Sequence, residues 1–301
     1  LNGAAVVNAQ NITEIHGKAS EITTIYTTVQ SNTITGLDAE GTGGTAETIT
    51  LATDTTVAAA DVHALKNKLD EVAEAASADS TAVIDATVVT LFTGSSTDVA
   101  AVYEASQQGK VTNLGNEALT ITESEGGIST ADANLLDSYT TGIITATILE
   151  TSMSDLNSLN NANGNNAYTI TVTGTADAGD VNTLEGKTSK KITMTALTTL
   201  SGTSAELEAA YTIHDEEKID LNTGVLITFT DTDVSVAKAH AIARKTTGAV
   251  TATIDEGDVA TLLTLANNSE TGNNYTISVT DGTATALNLI ALDNLTTGVI
   301  T

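Results

Sequence analysis

Tyr168–Lys191 reads YTITVTGTADAGDVNTLEGKTSKK. Its first residues alternate, with Ile170 and Val172 on one face of an extended chain and Thr169, Thr171 and Thr173 on the other. Gly174 marks a turn, and Val181 and Leu184 then fall three apart, at helical spacing. The stretch is a strand, a turn and a helix. From Tyr275 the chain says much the same again, YTISVTDGTATALNLIALDNLTTG. Weaker copies start at Ala118 (ALTITESEGGISTADANLLDSYTTG) and Val225 (VLITFTDTDVSVAKAHAIARKTTG).

Matching residues give the period. Gly142 and Gly248 lie 106 apart, Tyr168 and Tyr275 107, Leu184 and Leu292 108. Gly94/Gly202, Tyr103/Tyr211 and Thr122/Thr230 are each separated by 108. Self-similarity at a fixed period is the signature of a repeat architecture. Each long repeat contains two related halves of strand, helix, strand, helix. This divides the chain into a variant N-terminal unit (1–81), one repeat pair (82–189), a second pair (190–297) and the start of a further repeat (298–301). The last residues, GVIT, read as the opening of another strand, so the array is expected to continue. The N-terminal unit carries a glycine-rich insertion, Gly36–Gly44, and a longer charged helix from about Ala58 to Ala76.

Within each half the signals are local. Strands read IITATI (Ile143–Ile148), VTATI (Val250–Ile254) and KITMTAL (Lys191–Leu197). Val259, Leu262, Leu263 and Ala266 form a helical stripe, and Thr203–Glu206 has capping-box spacing. The second helix of a half ends in TTG at Gly142, Gly248 and Gly298, which predicts a left-handed glycine C-cap. Lys190 takes that place once, leaving the cap of that copy in question.

Composition sets the bounds. The 301 residues are 41% hydrophobic but only 3% aromatic, with no Trp, so the core is made of Val, Ile, Leu and Ala and suits thin layers. There is no Pro, and turns fall to Gly, Asn, Asp and Thr. A formal charge of −27 repels nucleic acid and anionic lipid, which sets both aside as partners. No apolar run reaches the roughly twenty residues that span a bilayer. With no Cys there is neither a disulfide nor a thiolate metal site.

A strand and a helix every 25 to 30 residues connect as crossovers, which makes the strands parallel and the crossovers right-handed. Doubly wound sheets have strands that are apolar on both faces, whereas these alternate with Thr. The expected fold is therefore α/β: a repeat solenoid of strand–helix coils, with a parallel sheet on one side and helices on the other. The segments TTGxxTATI (Thr141–Ile148, Thr247–Ile254), LTTLSGTSAELEAAYT (Leu197–Thr212) and NNAYTITVTGTADAGDVNTLEGKT (Asn165–Thr188) resemble giant repetitive cell-surface proteins of marine unicellular cyanobacteria, among them swimming-associated surface proteins. The resemblance covers most of the chain after Thr81. It implies a secreted, very long, extracellular or cell-surface protein, and it brings no catalytic residues.

Chemistry is sparse. His16, His63, His214 and His240 fall at different repeat phases without a metal-binding pairing, and no nucleophile elbow, P-loop or dinucleotide fingerprint occurs. No catalytic residue and no organic cofactor is expected. Carboxylates cluster at strand ends: Glu123 and Glu125, Asp231 and Asp233, and Asp255, Glu256 and Asp258. They are candidates for Ca²⁺ ligation through oxygen; the plainer reading is a solvated acidic rim. Thr145, Thr147, Thr169, Thr171, Thr173, Thr251, Thr253 and Thr276 point away from the aliphatic face. At the strand spacing of about 4.8 Å they would form a hydroxyl-and-methyl lattice suited to ice or crystalline polysaccharide. The plainer reading is that Thr is a good residue for an exposed strand. The expected role is a non-enzymatic extracellular fibre, stalk or surface layer that self-associates. The alternative is a secreted adhesin that uses the Thr face or a Ca²⁺-binding rim.

Overall fold

The structure is a computed structural model that describes residues 6–30, 34–37, 47–52, 55–75, 81–160, 165–266 and 272–301. Most of the glycine-rich insertion lies outside the described residues. The chain divides into two compact units, Leu1–Thr147 with Asn160–Ala167, and Ile148–Leu159 with Tyr168–Thr301. This division runs through the interior of the 82–189 pair.

The first unit runs β1 (Val7–Asn8), β2 (Glu14–Gly17), α1 (Ala19–Gln30), β3 (Ile34–Thr35), β4 (Thr48–Leu51), β5 (Thr56–Ala58), α2 (Ala59–Ala75), β6 (Val83–Asp85), β7 (Leu91–Gly94), α3 (Ser96–Gln107), β8 (Val111–Thr112), β9 (Ala118–Ile121), α4 (Thr130–Asp137) and β10 (Ile144–Thr147). Strands pair in parallel as β2-β4-β6-β8 in one sheet and β5-β7-β9-β10 in another, with β1 beside β3. Register stacks equivalent aliphatics. Ile15, Ile49, Ile84 and Val111 form one buried column, and Val57, Phe92, Leu119 and Ile144 another. Each such side chain contributes roughly 2 kcal/mol by leaving water, and neighbouring segments supply the contacts. Phe92 packs edge-on to Tyr103, which stacks on Tyr139 at 5.3 Å.

The second unit contains α5 (Met153–Leu156), β11 (Ala167–Thr169, beginning at the division), β12 (Thr171–Asp177), α6 (Ala178–Glu185), β13 (Ile192–Gly202), α7 (Ser204–Asp215), β14 (Ile219–Leu221), β15 (Leu226–Phe229), α8 (Val236–Ala243), β16 (Val250–Thr253), α9 (Val259–Leu262), β17 (Asn274–Thr276) and α10 (Ala286–Asp293). Its sheet is again parallel, β12-β13-β15-β16-β17, with β14 on the first part of β13. Ala176, Leu200, Ile227 and Val250 form its buried column.

The chain is α/β, with helices alternating with strands and parallel sheets, as the repeat pattern requires. Three details differ from expectation. First, the strands of unit 1 fall into separate sheets, β2-β4-β6-β8 in one and β5-β7-β9-β10 in another, where one sheet was expected, because polar corners split the extended part of a segment. Asp85 Oδ1 accepts from the Thr87 amide (2.9 Å) and hydroxyl (2.6 Å) and turns the chain between β6 and β7. Asn222 does this between β14 and β15, accepting from Gly224 N–H at 3.0 Å. Second, the stripe from Val259 is cut short. The helix tightens after one turn, with Thr264 N–H bonding Thr261 C=O, so Val259 and Leu262 are buried as expected but Leu265 is buried in place of Leu263 and Ala266.

Third, the TTG glycines are not left-handed caps. Gly142, Gly248 and Gly298 do not have positive φ. Each lies so close to the preceding strand that a Cβ would collide with a carbonyl oxygen, that of Glu117, Val225 or Tyr275. The capping box does form: Thr203 accepts from Glu206 N–H, and Glu206 accepts from Thr203 N–H at 2.8 Å.

Candidate functional surface

The sheets' outward faces carry the Thr rows. Thr93, Thr120 and Thr145 are consecutive in register in unit 1. Unit 2 has Thr228 beside Thr251 and Thr253 beside Thr276. Thr147, Thr169, Thr253 and Thr276 are exposed; Thr145, Thr171, Thr173 and Thr251 are half-buried, and the Thr173 hydroxyl donates to that of Thr151 at 3.2 Å. Ile143 and Leu226, 47% and 46% exposed, stand on the same outward parity. The surface is mixed hydroxyl and hydrocarbon, with Thr in short runs.

The strand-end carboxylates serve the helices. A helix begins with amide N–H groups that have no partner inside it and a partial positive charge. At four places a carboxylate from the next segment supplies that partner. Glu123 accepts from the Ser96 amide of α3 (2.6 Å), Asp231 from Ser204 of α7 (2.6 Å), Glu256 from Val236 of α8 (2.7 Å) and Asp281 from Val259 of α9 (2.8 Å). Asp258 caps its own helix through Thr261 N–H at 2.9 Å. Glu125, Asp233 and Asp255 stand exposed. Among the described residues, no three His, Asp or Glu side chains converge as a metal site would require. His63 meets Asp98 at 2.9 Å between α2 and α3.

These caps are electrostatic latches. The Ser204 hydroxyl and amide hold the Asp231 carboxyl below its ordinary range, and the Thr261 amide does so for Asp258. A depressed folded pKa gives stability that is present above the unfolded carboxylate value of about 4 and is lost as pH falls through the folded value. Asp231→Ala is expected to cost about 1 kcal/mol at neutral pH, typical of a lost N-cap, and to flatten the fall in melting temperature below pH 4. The comparison belongs in high salt, where the −27 charge is screened and acid does not relieve self-repulsion.

A second set of latches went unread in the sequence. The first Thr of each TTG donates to the preceding strand: Thr140 to Glu117 C=O (2.7 Å), Thr246 to Val225 C=O (2.6 Å) and Thr296 to Tyr275 C=O (2.8 Å). The same hydroxyls accept from Gly142, Gly248 and Gly298. Thr188 repeats the pattern with Tyr168 C=O and Lys190 N–H, so the copy without glycine keeps its latch. Two buried asparagines 107 residues apart act in parallel: Asn166 Oδ1 accepts from Ile144 N–H and Asn273 Oδ1 from Val250 N–H, both at 2.9 Å. The recurrence of NNAY and NNY was the available signal.

A shallow groove of about 260 Å³ runs between α3 and α4, lined by Ser96, Ala100, Glu104, Asp132 and Leu135 among others. It holds no nucleophile–base pair. Among the described residues no helix is long and apolar enough to cross a membrane. No known family profile, curated protein or solved structure matches this chain.

Proposed function

We propose that the chain is a non-catalytic structural repeat protein, a stretch of one solenoid whose coils stack into an extracellular fibre, stalk or surface layer. The observation that supports this is the accounting between segments. Helix starts are capped by the following segment, TTG hydroxyls bind the preceding strand, and the aliphatic columns run from one segment to the next. Polar groups are spent on stacking rather than gathered in a cleft. Length then scales with copy number, and the acidic surface keeps the assembly soluble in salty surroundings. The extracellular placement comes from the resemblance of the TTGxxTATI segments to cyanobacterial surface repeats. Electron microscopy of the purified chain across a concentration series tests the reading: filaments or sheets that lengthen with concentration are expected, and monomers at every concentration would refute it.

An adhesin remains the second reading, favoured by the exposed Thr253–Thr276 pair and the exposed acids Asp233 and Asp255. A melting temperature that drops on adding a chelator would move the balance to a Ca²⁺-dependent adhesin.

A further inference from the structure

Parallel topology sorts the charges of unit 2. Its strands all run the same way, so strand ends and helix starts share one edge, and helix ends and strand starts share the opposite one. Lys187, Lys190, Lys191, Lys218, Arg244 and Lys245 fall at the second edge, six of the chain's eleven basic residues. Exposed Asp177, Glu208, Asp233, Asp255, Asp258 and Asp281 fall at the first, where Lys238 is the one base among the described residues. Unit 1 lacks this division: Ser138 and Tyr139 stand where Arg244 and Lys245 do 106 residues later.

Half of the six cations are spent inside the unit, tying a segment to the one before it. Lys218 reaches Glu185 at 3.3 Å, Lys245 reaches Asp215 at 2.6 Å, and Lys187 donates to Asn157 C=O at 2.8 Å. Lys66 and Lys68 on α2 likewise have acids beside them, Asp70 and Glu71. Lys190, Lys191 and Arg244 differ. They are exposed, and their side chains form no ion pair among the described residues, although the chain has 38 acidic residues against 11 basic ones. Charge selects the occupant. The complement is the opposite edge of the same unit, where carboxylates recur from one strand end to the next at about 4.8 Å, the spacing on which the cations also sit.

We propose that the Lys190, Lys191 and Arg244 edge of one copy docks side by side on the Asp233 and Asp255 edge of a second copy. The two surfaces lie on opposite edges of one unit, so the contact is heterologous and repeats, widening an assembly into a layer. This rests on the self-assembling reading above and gives it a lateral contact. Screening sets its salt dependence. At about 0.01 M salt charges act over about 30 Å, and the −27 of each copy keeps copies apart. At about 0.15 M the range is about 8 Å, so the charges in near contact outweigh the rest; at about 1 M it is about 3 Å and the pairs fail. Lateral association therefore peaks at intermediate salt, whereas an apolar contact gains steadily as salt screens the repulsion.

The test uses two full-length variants. Lys190→Glu/Lys191→Glu/Arg244→Glu reverses one edge, and Asp233→Lys/Asp255→Lys reverses the other. All five side chains are exposed and none caps a helix, so both variants are expected to keep the wild-type circular dichroism. In sedimentation velocity across a sodium chloride series, the wild type is expected to assemble most near 0.15 M. Each variant alone should need a roughly tenfold higher concentration, the effect of about three exposed pairs. Their equal mixture, in which the two reversed edges complement each other, should recover wild-type assembly. Variants that assemble as readily as the wild type, a mixture that recovers nothing, or wild-type assembly that rises steadily with salt would each overturn this contact and leave the fibre reading standing. A wild type that is monomeric at every salt concentration would end both.

Discussion

Gly248→Ala is expected to destabilise the second unit by roughly 3 kcal/mol or more, the upper part of the range for overpacking. The reason is contact, not backbone conformation. A Cβ at this position would overlap the Val225 carbonyl oxygen and lie 2.6 Å from that of Gly224. Neither neighbour is a flexible side-chain end. Moving them would break the Thr246 latch, whose hydroxyl holds Val225 C=O and Gly248 N–H together. Two controls separate this from an ordinary glycine effect. Gly126 has φ +90° with nothing within 4 Å of an added Cβ, so alanine there meets only backbone strain of about 1 kcal/mol. Lys190 occupies the equivalent place in its own copy and is exposed, so Lys190→Ala should stay within about 0.5 kcal/mol. Urea unfolding of the three variants orders them; equal losses at Gly248 and Gly126 would show that conformation alone demands the glycine.

That glycine shows how far the sequence could be read. Its recurrence is visible, and so is the helix before it, and the common cause of a glycine after a helix is a left-handed cap. The true cause is a backbone approaching from another segment, which no local signal encodes. The strand parity of Ile170, Val172 and their Thr partners was legible because burial on one face imposes a period of two. The Thr203–Glu206 box was legible because both partners lie within one turn. The strand-end acids were found as a cluster, yet their partners are amides 20 to 27 residues earlier, and only the stacked register brings them together. The corners at Asp85 and Asn222 were missed because a single polar residue inside an extended run carries little weight. Repeat alignment also misleads where copies diverge: Tyr103 donates to buried Glu117 at 2.8 Å, but Val225 stands in the matching place and the Tyr211 hydroxyl has no hydrogen-bond partner.

Asn273→Leu should cost roughly 3 kcal/mol although it leaves no cavity, because leucine keeps the same number and branching of heavy atoms and is the bulkier side chain. Asn273 is fully buried and holds three groups: its Oδ1 accepts from Val250 N–H at 2.9 Å, and its Nδ2 reaches Ala266 C=O at 2.7 Å and Tyr275 Oη at 3.1 Å. Leucine strands the Val250 amide and deprives the Ala266 carbonyl of this donor, at about 1 to 3 kcal/mol for each unsatisfied group. Asn273→Asp makes a sharper test. An aspartate keeps the acceptor for Val250 but turns a second oxygen toward Ala266 C=O, and burial further disfavours its charge. Its pKa in the folded state therefore rises above the unfolded value of about 3.9. The stability it recovers is complete below the unfolded value, where the protonated acid can donate to Ala266, and is lost as pH climbs through the folded pKa. The variant should thus gain on the wild type as pH falls, opposite in sign to the acid lability expected from the Asp231 cap. Melting curves at neutral and acidic pH in high salt would show the gap between Asn273→Asp and wild type narrowing on acidification. A gap that stays constant would mean that the Asn273 side chain does not hold the Ala266 carbonyl.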